Sequence, residues 1–205
     1  MGNQWLEWAR RIQAISQAGL TFSKDIYDIE RYEELTEISA EILQAHTEVE
    51  IEKVKQLFSK EKGYQTPKID VRAAVFKDSR ILLVKEKKDQ KWALPGGFCE
   101  VGLSPSENIK KEVEEESGFL VQPIKLLAVL DMNKHPHPPQ LYHYYKLFIQ
   151  CQIIGGAAET GIETNDVKFF SQQELPALSQ ARNTESQINM LFDHLLDPSM
   201  PVCLD

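Results

Sequence analysis

The sequence predicts an α/β fold: a mixed β-sheet between helical layers, preceded by a small all-helical domain. Three observations lead there. Apolar residues recur at helical spacing through the first part of the chain. The stretch Glu61–Lys68 then has the Gly, Thr and Pro of a linker, and beyond it the pattern changes to strand-like runs. Those runs stand on both sides of one well-delimited helix, and a second amphipathic helix follows the last of them.

Residues 1–62 make the expected helical domain. Trp5, Trp8, Ala9, Ile12 and Ile15 form one stripe, ending near Gly19. Ile26, Ile29, Leu35, Ile38 and Ile42 form a second, and Val49, Ile51, Val54, Leu57 and Phe58 a third that stops before Gly63. Helices of this size bury little by themselves, so they are expected to dock on the rest of the chain or on a second subunit. Symmetric dimers being the commonest oligomers, a homodimer interface is the expectation. Two tryptophans near a helix start read as core or interface rather than as a base-stacking pair.

Residues 63–68 form the linker and 69–205 the α/β domain. Ile69–Phe76 and Arg80–Val84 read as strands joined by a turn at Lys77-Asp78-Ser79. Trp92-Ala93-Leu94 is a short strand. Leu126–Met132, Tyr142–Ile153 and Val167–Phe170 follow, and Asn183–Leu196 closes the domain as a helix built on Ile188, Leu191, Phe192 and Leu195.

Composition removes several classes of function. The 205 residues carry a net charge of −8, which opposes broad capture of nucleic acid or of an anionic membrane. A polyanionic substrate would need cations to approach such a surface. Cys99, Cys151 and Cys203 are odd in number and far apart, which indicates neither a disulfide framework nor a zinc site. No base stands beside Cys99 in sequence, so it is not expected to be a nucleophile. With no apolar signal core and no run of membrane-spanning length, a reduced cytoplasm is the expected setting.

The chemistry concentrates between Trp92 and Phe119. Gly96-Gly97 follows the short strand and leads toward a helix with readable ends. Ser104 is an N-cap, Pro105 fits the first helical position, Glu107 completes a capping box, and Gly118 suits a left-handed C-cap. In the phase those ends set, Glu112, Glu115 and Glu116 share one face at i, i+3 and i+4, while Glu114 points elsewhere. Three carboxylates on one face are either a solvated acidic surface or a cation site. Lys110 and Lys111 are not spaced to neutralise all three, and Mg²⁺ (or Mn²⁺) takes hard oxygen ligands while leaving room for waters and phosphates. The framing by glycines and caps favours the cation.

This segment resembles the Nudix box, G-x5-E-x7-R-E-U-x-E-E-x-G-U, where U is a bulky apolar residue. Gly97, Glu112, Val113, Glu115, Glu116, Gly118 and Phe119 fall in register; Leu103 stands in place of the first Glu and Lys111 in place of the Arg. Lysine is a point charge rather than a planar fork. The resemblance implies a Nudix-type α/β/α sandwich whose metals are held by Glu112, Glu115, Glu116 and the backbone carbonyl of Gly96. It also implies an acid from the loop before the last strand, here Glu163, with Glu159 and Asp166 as competitors. Glu112 or Glu163 would position or deprotonate the attacking water.

Contacts to substrate are expected from three further residues. Arg72, on the first strand, is a candidate for a phosphate or aromatic contact, or is structural. His137, in the stiff His135-Pro136-His137-Pro138-Pro139 loop, borders the pocket; without a nearby carboxylate or cysteine it is a poor metal ligand. Tyr144, in the run Tyr142-His143-Tyr144-Tyr145, would lie against a base or sugar. The implied reaction is hydrolysis of the pyrophosphate bond of a nucleoside diphosphate linked to another group, releasing a nucleoside monophosphate. The helical extension, the linker Tyr64-Gln65-Thr66-Pro67-Lys68 and the run Ser104-Pro105-Ser106-Glu107-Asn108 resemble bacterial CDP-choline and ADP-ribose pyrophosphatases, and that resemblance implies CDP-choline first and ADP-ribose second. Two alternatives stay open: a hydrolase of RNA ends or other nucleotides, and a catalytically weak nucleotide sensor.

Overall fold

A computed structural model describes residues 4–46 and 63–205. These fall into two compact units, one reaching to Pro67 and taking in Pro139–Tyr142, the other made of Lys68–Pro138 and His143–Asp205.

In the first unit, helices α1 (Gln4–Phe22) and α2 (Ile26–His46) pack against each other. The expected end of α1 at Gly19 is corrected: the helix runs on to Phe22. Gly19 serves close approach instead, since a Cβ there would lie 2.4 Å from a ring atom of Tyr32. The expected stripes are also rotated. Leu6, Ala9, Gln13, Ser16 and Gln17 are the buried residues of α1, and Ser39, Ala40 and Leu43 those of α2. Small and polar residues let the backbones draw together, and the Ser39 hydroxyl donates to the Ala9 carbonyl at 2.8 Å. Trp8 and Ile15, in the stripe expected to dock, are 51% and 59% exposed; with Phe22 they recur every seventh residue along one outer face. The third stripe, Val49–Phe58, lies outside the described residues.

The second unit is a mixed sheet covered on both faces. Its strands are β1 (Lys68–Lys77), β2 (Arg80–Glu86), β3 (Trp92–Ala93), β4 (Phe119–Asp131), β5 (Tyr144–Gly156), β6 (Thr164–Phe170) and β7 (Cys203–Leu204), ordered β3-β2-β1-β5-β4-β7 with β6 on β2. β1 runs antiparallel to β2 through a tight turn in which Asp78 and Ser79 both take positive φ, and parallel to β5.

β1 shows how the layers form. Val71, Ala73 and Val75 turn to one side and pack with Ile109 and Val113 of α3 (Pro105–Ser117). Ala74 turns to the other and packs with Ile188, Leu191 and Phe192 of α4 (Glu185–Leu196). Period-two alternation thus feeds two cores from one strand.

β4 begins at once after Gly118, seven residues before the expected Leu126. Its pairing with β5 slips at three places, near Leu120, Pro123 and Leu126, and each bulge interrupts the alternation that a sequence reading depends on. The short β7, parallel to β4, was not anticipated.

Candidate active site

Helix α3 forms as its caps dictate. The Ser104 side chain accepts from the Glu107 N–H, the Glu107 carboxylate accepts in return from the Ser104 N–H, and Gly118 sits at φ 72°. The helix lays Glu112 and Glu116 beside the glycine loop. Glu116 is 8% exposed, and its Oε2 accepts from the Gly96 N–H at 2.9 Å. A Cβ on Gly97 would lie 2.8 Å from Glu112 Oε1, so glycine lets the carboxylate rest against the backbone. Gly96, at φ 140°, could not carry a Cβ either, because the Val71 carbonyl would be 2.0 Å away.

Burial raises the carboxyl of Glu116 to about 7, against the opposing pull of the Arg72 charge. Burial likewise raises Glu112, with Arg72 again opposing. Glu115 is apart from them: it is exposed, with Lys111 Nζ 3.8 Å away. Among the described residues, no three His, Cys, Asp or Glu side chains converge as a finished metal cage. The donor set nevertheless fits a hard divalent cation. Two carboxylates are held in register at one loop, both disfavoured as bare anions, and Mg²⁺ needs only one or two carboxylates beside waters and substrate phosphates.

The nearby cation is committed elsewhere. Arg72 is 1% exposed; its Nε and Nη2 donate to the two oxygens of Asp70 at 3.2 and 2.9 Å, and its Nη1 to the Leu94 carbonyl at 3.1 Å. Lys146 Nζ donates to the same Asp70 at 2.6 Å. Asp70 and Lys146 are register partners on β1 and β5. Of the two readings of Arg72, substrate contact or structural residue, the enclosed guanidinium favours the second: it acts on the acids through its field and on the glycine loop through Leu94.

Tyr144 lies on the core side of its strand. Its ring is buried, edge-on to Phe98 with centroids 5.4 Å apart, and it is Phe98, on the glycine loop, that stands half exposed. His137 is half-buried and carries its proton on Nδ1, which donates to the Gln180 carbonyl at 2.7 Å while Nε2 accepts from Gln187 at 3.0 Å. Burial lowers it to about 4, so the ring is neutral. Glu163 is exposed, and its backbone carbonyl accepts from Lys87. The next residue, Thr164, donates to the Glu116 carbonyl at 2.8 Å, which sets this loop against the end of α3. Cys99 has its thiol raised by burial and by the Asp70 and Glu112 charges, the wrong direction for a nucleophile.

Sequence reasoning missed Asp70, Lys146 and the loop around Arg182 and Asn183. Arg182 pairs with the buried Glu86 at 3.1 Å, and Asn183 Oδ1 accepts from the Leu94 N–H at 2.8 Å, steadying the strand that enters the glycine loop. A signal existed for the first two: a charged residue inside an apolar strand is buried only with a partner.

A sheet between two helical layers, with a glycine loop pressed on a capped acidic helix, defines a Nudix hydrolase. The Nudix domain model matches residues 66–193, and the chain belongs to that family as a pyrophosphohydrolase. Residues 3–58 match a UDP-X-like, N-terminal oligomerisation domain. The chain is 58% identical over 202 residues to the Bacillus subtilis (strain 168) protein "Putative ADP-ribose pyrophosphatase YjhB", covering 98% of this chain and 97% of that one. It resembles the crystal structure of a UDP-X diphosphatase (39% identity, 98% of each chain, TM-score 0.65). It also resembles an ADP-ribose pyrophosphatase from Streptococcus suis 89-1591 (38% identity, 68% of this chain and 100% of that one, TM-score 0.62). No described helix is long and apolar enough to cross a membrane.

Proposed function

We propose that the protein hydrolyses the pyrophosphate bond of a nucleoside diphosphate linked to a second group, with ADP-ribose as the first substrate to test and CDP-choline the second. The likeness to a relative named for ADP-ribose, over nearly the whole of both chains, supports this order. The observation that carries the chemistry is the pair Glu112 and Glu116, desolvated against Gly96-Gly97.

In this reading Glu112, Glu115, Glu116 and the Gly96 carbonyl hold Mg²⁺ or Mn²⁺, which when bound supplies positive charge against the diphosphate oxygens. Glu112 or Glu163 takes a proton from water as its oxygen forms a bond to one phosphorus. The bridging P–O bond breaks, and the second phosphate leaves with the other group. Phe98 offers an aromatic face to base or sugar. The exposed Trp8, Ile15 and Phe22 face makes the interface of a homodimer, working in the cytoplasm.

Incubating the full chain with Mg²⁺ or Mn²⁺ and ADP-ribose, CDP-choline, a UDP-linked sugar or 5′-triphosphorylated RNA tests the reading. Release of AMP or CMP is expected. Hydrolysis of the RNA end alone would replace it with the RNA reading, and binding of nucleotides without any product would make the protein a sensor.

A further inference from the structure

Lys111 stands one residue before Glu112 and four before Glu115, so the helix brings its ammonium to the same face as the third carboxylate. It has a choice of acids. Glu115 Oε1 is 3.8 Å from Nζ, whereas Glu100 Oε1 is 2.5 Å away. Glu100 is not a loose surface residue. Its N–H donates at 2.8 Å to Oδ1 of Asn108, which is buried, and Asn108 Nδ2 donates to the Leu103 and Ser104 carbonyls, each at 3.1 Å. The Glu100 carbonyl in turn accepts from the Leu103 N–H. A buried asparagine on α3 thus fixes the backbone that aims the Glu100 carboxylate. Both charged groups are well exposed, and such pairs contribute little to folding. Their placement matters for what the ammonium would do otherwise: an i,i+4 lysine left alone would close on Glu115 and compete with any cation there.

We propose that Glu100 is a positioning residue for the cation site: it holds the Lys111 ammonium on the glycine loop and off Glu115, leaving that carboxylate free to complete the ligand set. This rests on the metal-dependent reading above.

A double-mutant cycle on Mn²⁺ binding tests it, using the full chain without substrate and following free Mn²⁺ by electron paramagnetic resonance. Glu100→Gln is expected to weaken binding about fivefold, since one competing exposed charge is worth no more. Lys111→Met should bind at least as tightly as wild type. In the Lys111→Met background, Glu100→Gln should change the dissociation constant by less than about twofold, because no ammonium is left to hold. Equal weakening in both backgrounds would overturn the proposal and reduce Glu100 to a distant negative charge. Wild-type affinity in Glu100→Gln would overturn it too. A wild-type chain that binds no Mn²⁺ would instead sink the metal reading itself.

Discussion

The Gly96 N–H and the Glu116 carboxylate are joined by a 2.9 Å hydrogen bond across the loop–helix junction. One backbone donor and the field of an enclosed arginine do not offset the burial of that carboxylate, which titrates at about 7. The group is thus poised to lose its proton when a cation arrives.

Glu116→Gln should therefore lower turnover at least about a hundredfold, roughly 3 kcal/mol of transition-state stabilisation. Folding should not suffer. The carboxyl's folded pKa lies above its unfolded value, so its contribution to stability is present below about 4.5 and lost as pH rises through about 7. The neutral amide lacks that loss. Melting temperatures of the metal-free proteins, compared at pH 5 and pH 8, should converge or favour the mutant at the higher pH.

Metal uptake should release protons. Between about pH 5 and pH 7 the buried carboxyl must be deprotonated before it can ligate, so apparent Mn²⁺ affinity should climb with pH across that window and flatten above it. Calorimetric titrations in buffers of different ionisation enthalpy measure the protons directly. A pH-independent affinity with no proton release would contradict this account of Glu116.

Restoring an acid at position 103 should do little. Leu103 is over one-third exposed, and the cation that an acid there would seek, Lys111, is already paired with Glu100. Leu103→Glu should change kcat by less than about tenfold, under ~1.4 kcal/mol. A rise of a hundredfold or more, alone or with Lys111→Arg, would mean that the present box is crippled.

Asp70 balances two buried cations, so Asp70→Asn should destabilise the fold by about 3 kcal/mol or more, as removal of one member of a buried ionic group does. Urea unfolding reads it. An undiminished midpoint would show that the cluster is not an ionic keystone of the strand pair.

The outer stripe of α1 should govern assembly. Trp8→Glu with Ile15→Glu places charges on the exposed face and leaves Leu6, Ala9 and Ser16 against α2. Light scattering on the full chain should then report half the wild-type mass, with helicity retained. An unchanged mass would move the interface elsewhere.

Much of this was legible from residues alone, for definable reasons. The caps of α3 are local chemistry, read from Ser104, Pro105, Glu107 and Gly118, and the helix starts and stops where they put it. What escaped was non-local. Periodicity marked Trp8 and Ile15 as apolar, but it cannot distinguish a face turned to the next helix from one turned outward. Arg72 and Tyr144 were recognised as residues of interest, yet what encloses them is not read locally: Lys146 reaches the Asp70–Arg72 pair of β1 from β5, and Phe98 meets Tyr144 from the glycine loop. The Glu100–Lys111 pair was hidden because its acid lies eleven positions away, off the helix altogether.

The return of Pro139–Tyr142 to the helical unit ties two distant stretches of the gene together. Arg10 Nε donates to the Leu141 carbonyl at 3.1 Å, across 131 positions of sequence. A cut at the linker alone would therefore not take the whole helical unit with it. An exchange of everything before Lys68 would carry Arg10 away and leave behind the segment that it holds. The border of the helical unit thus lies in two places along the chain at once, before Lys68 and on either side of Pro139–Tyr142.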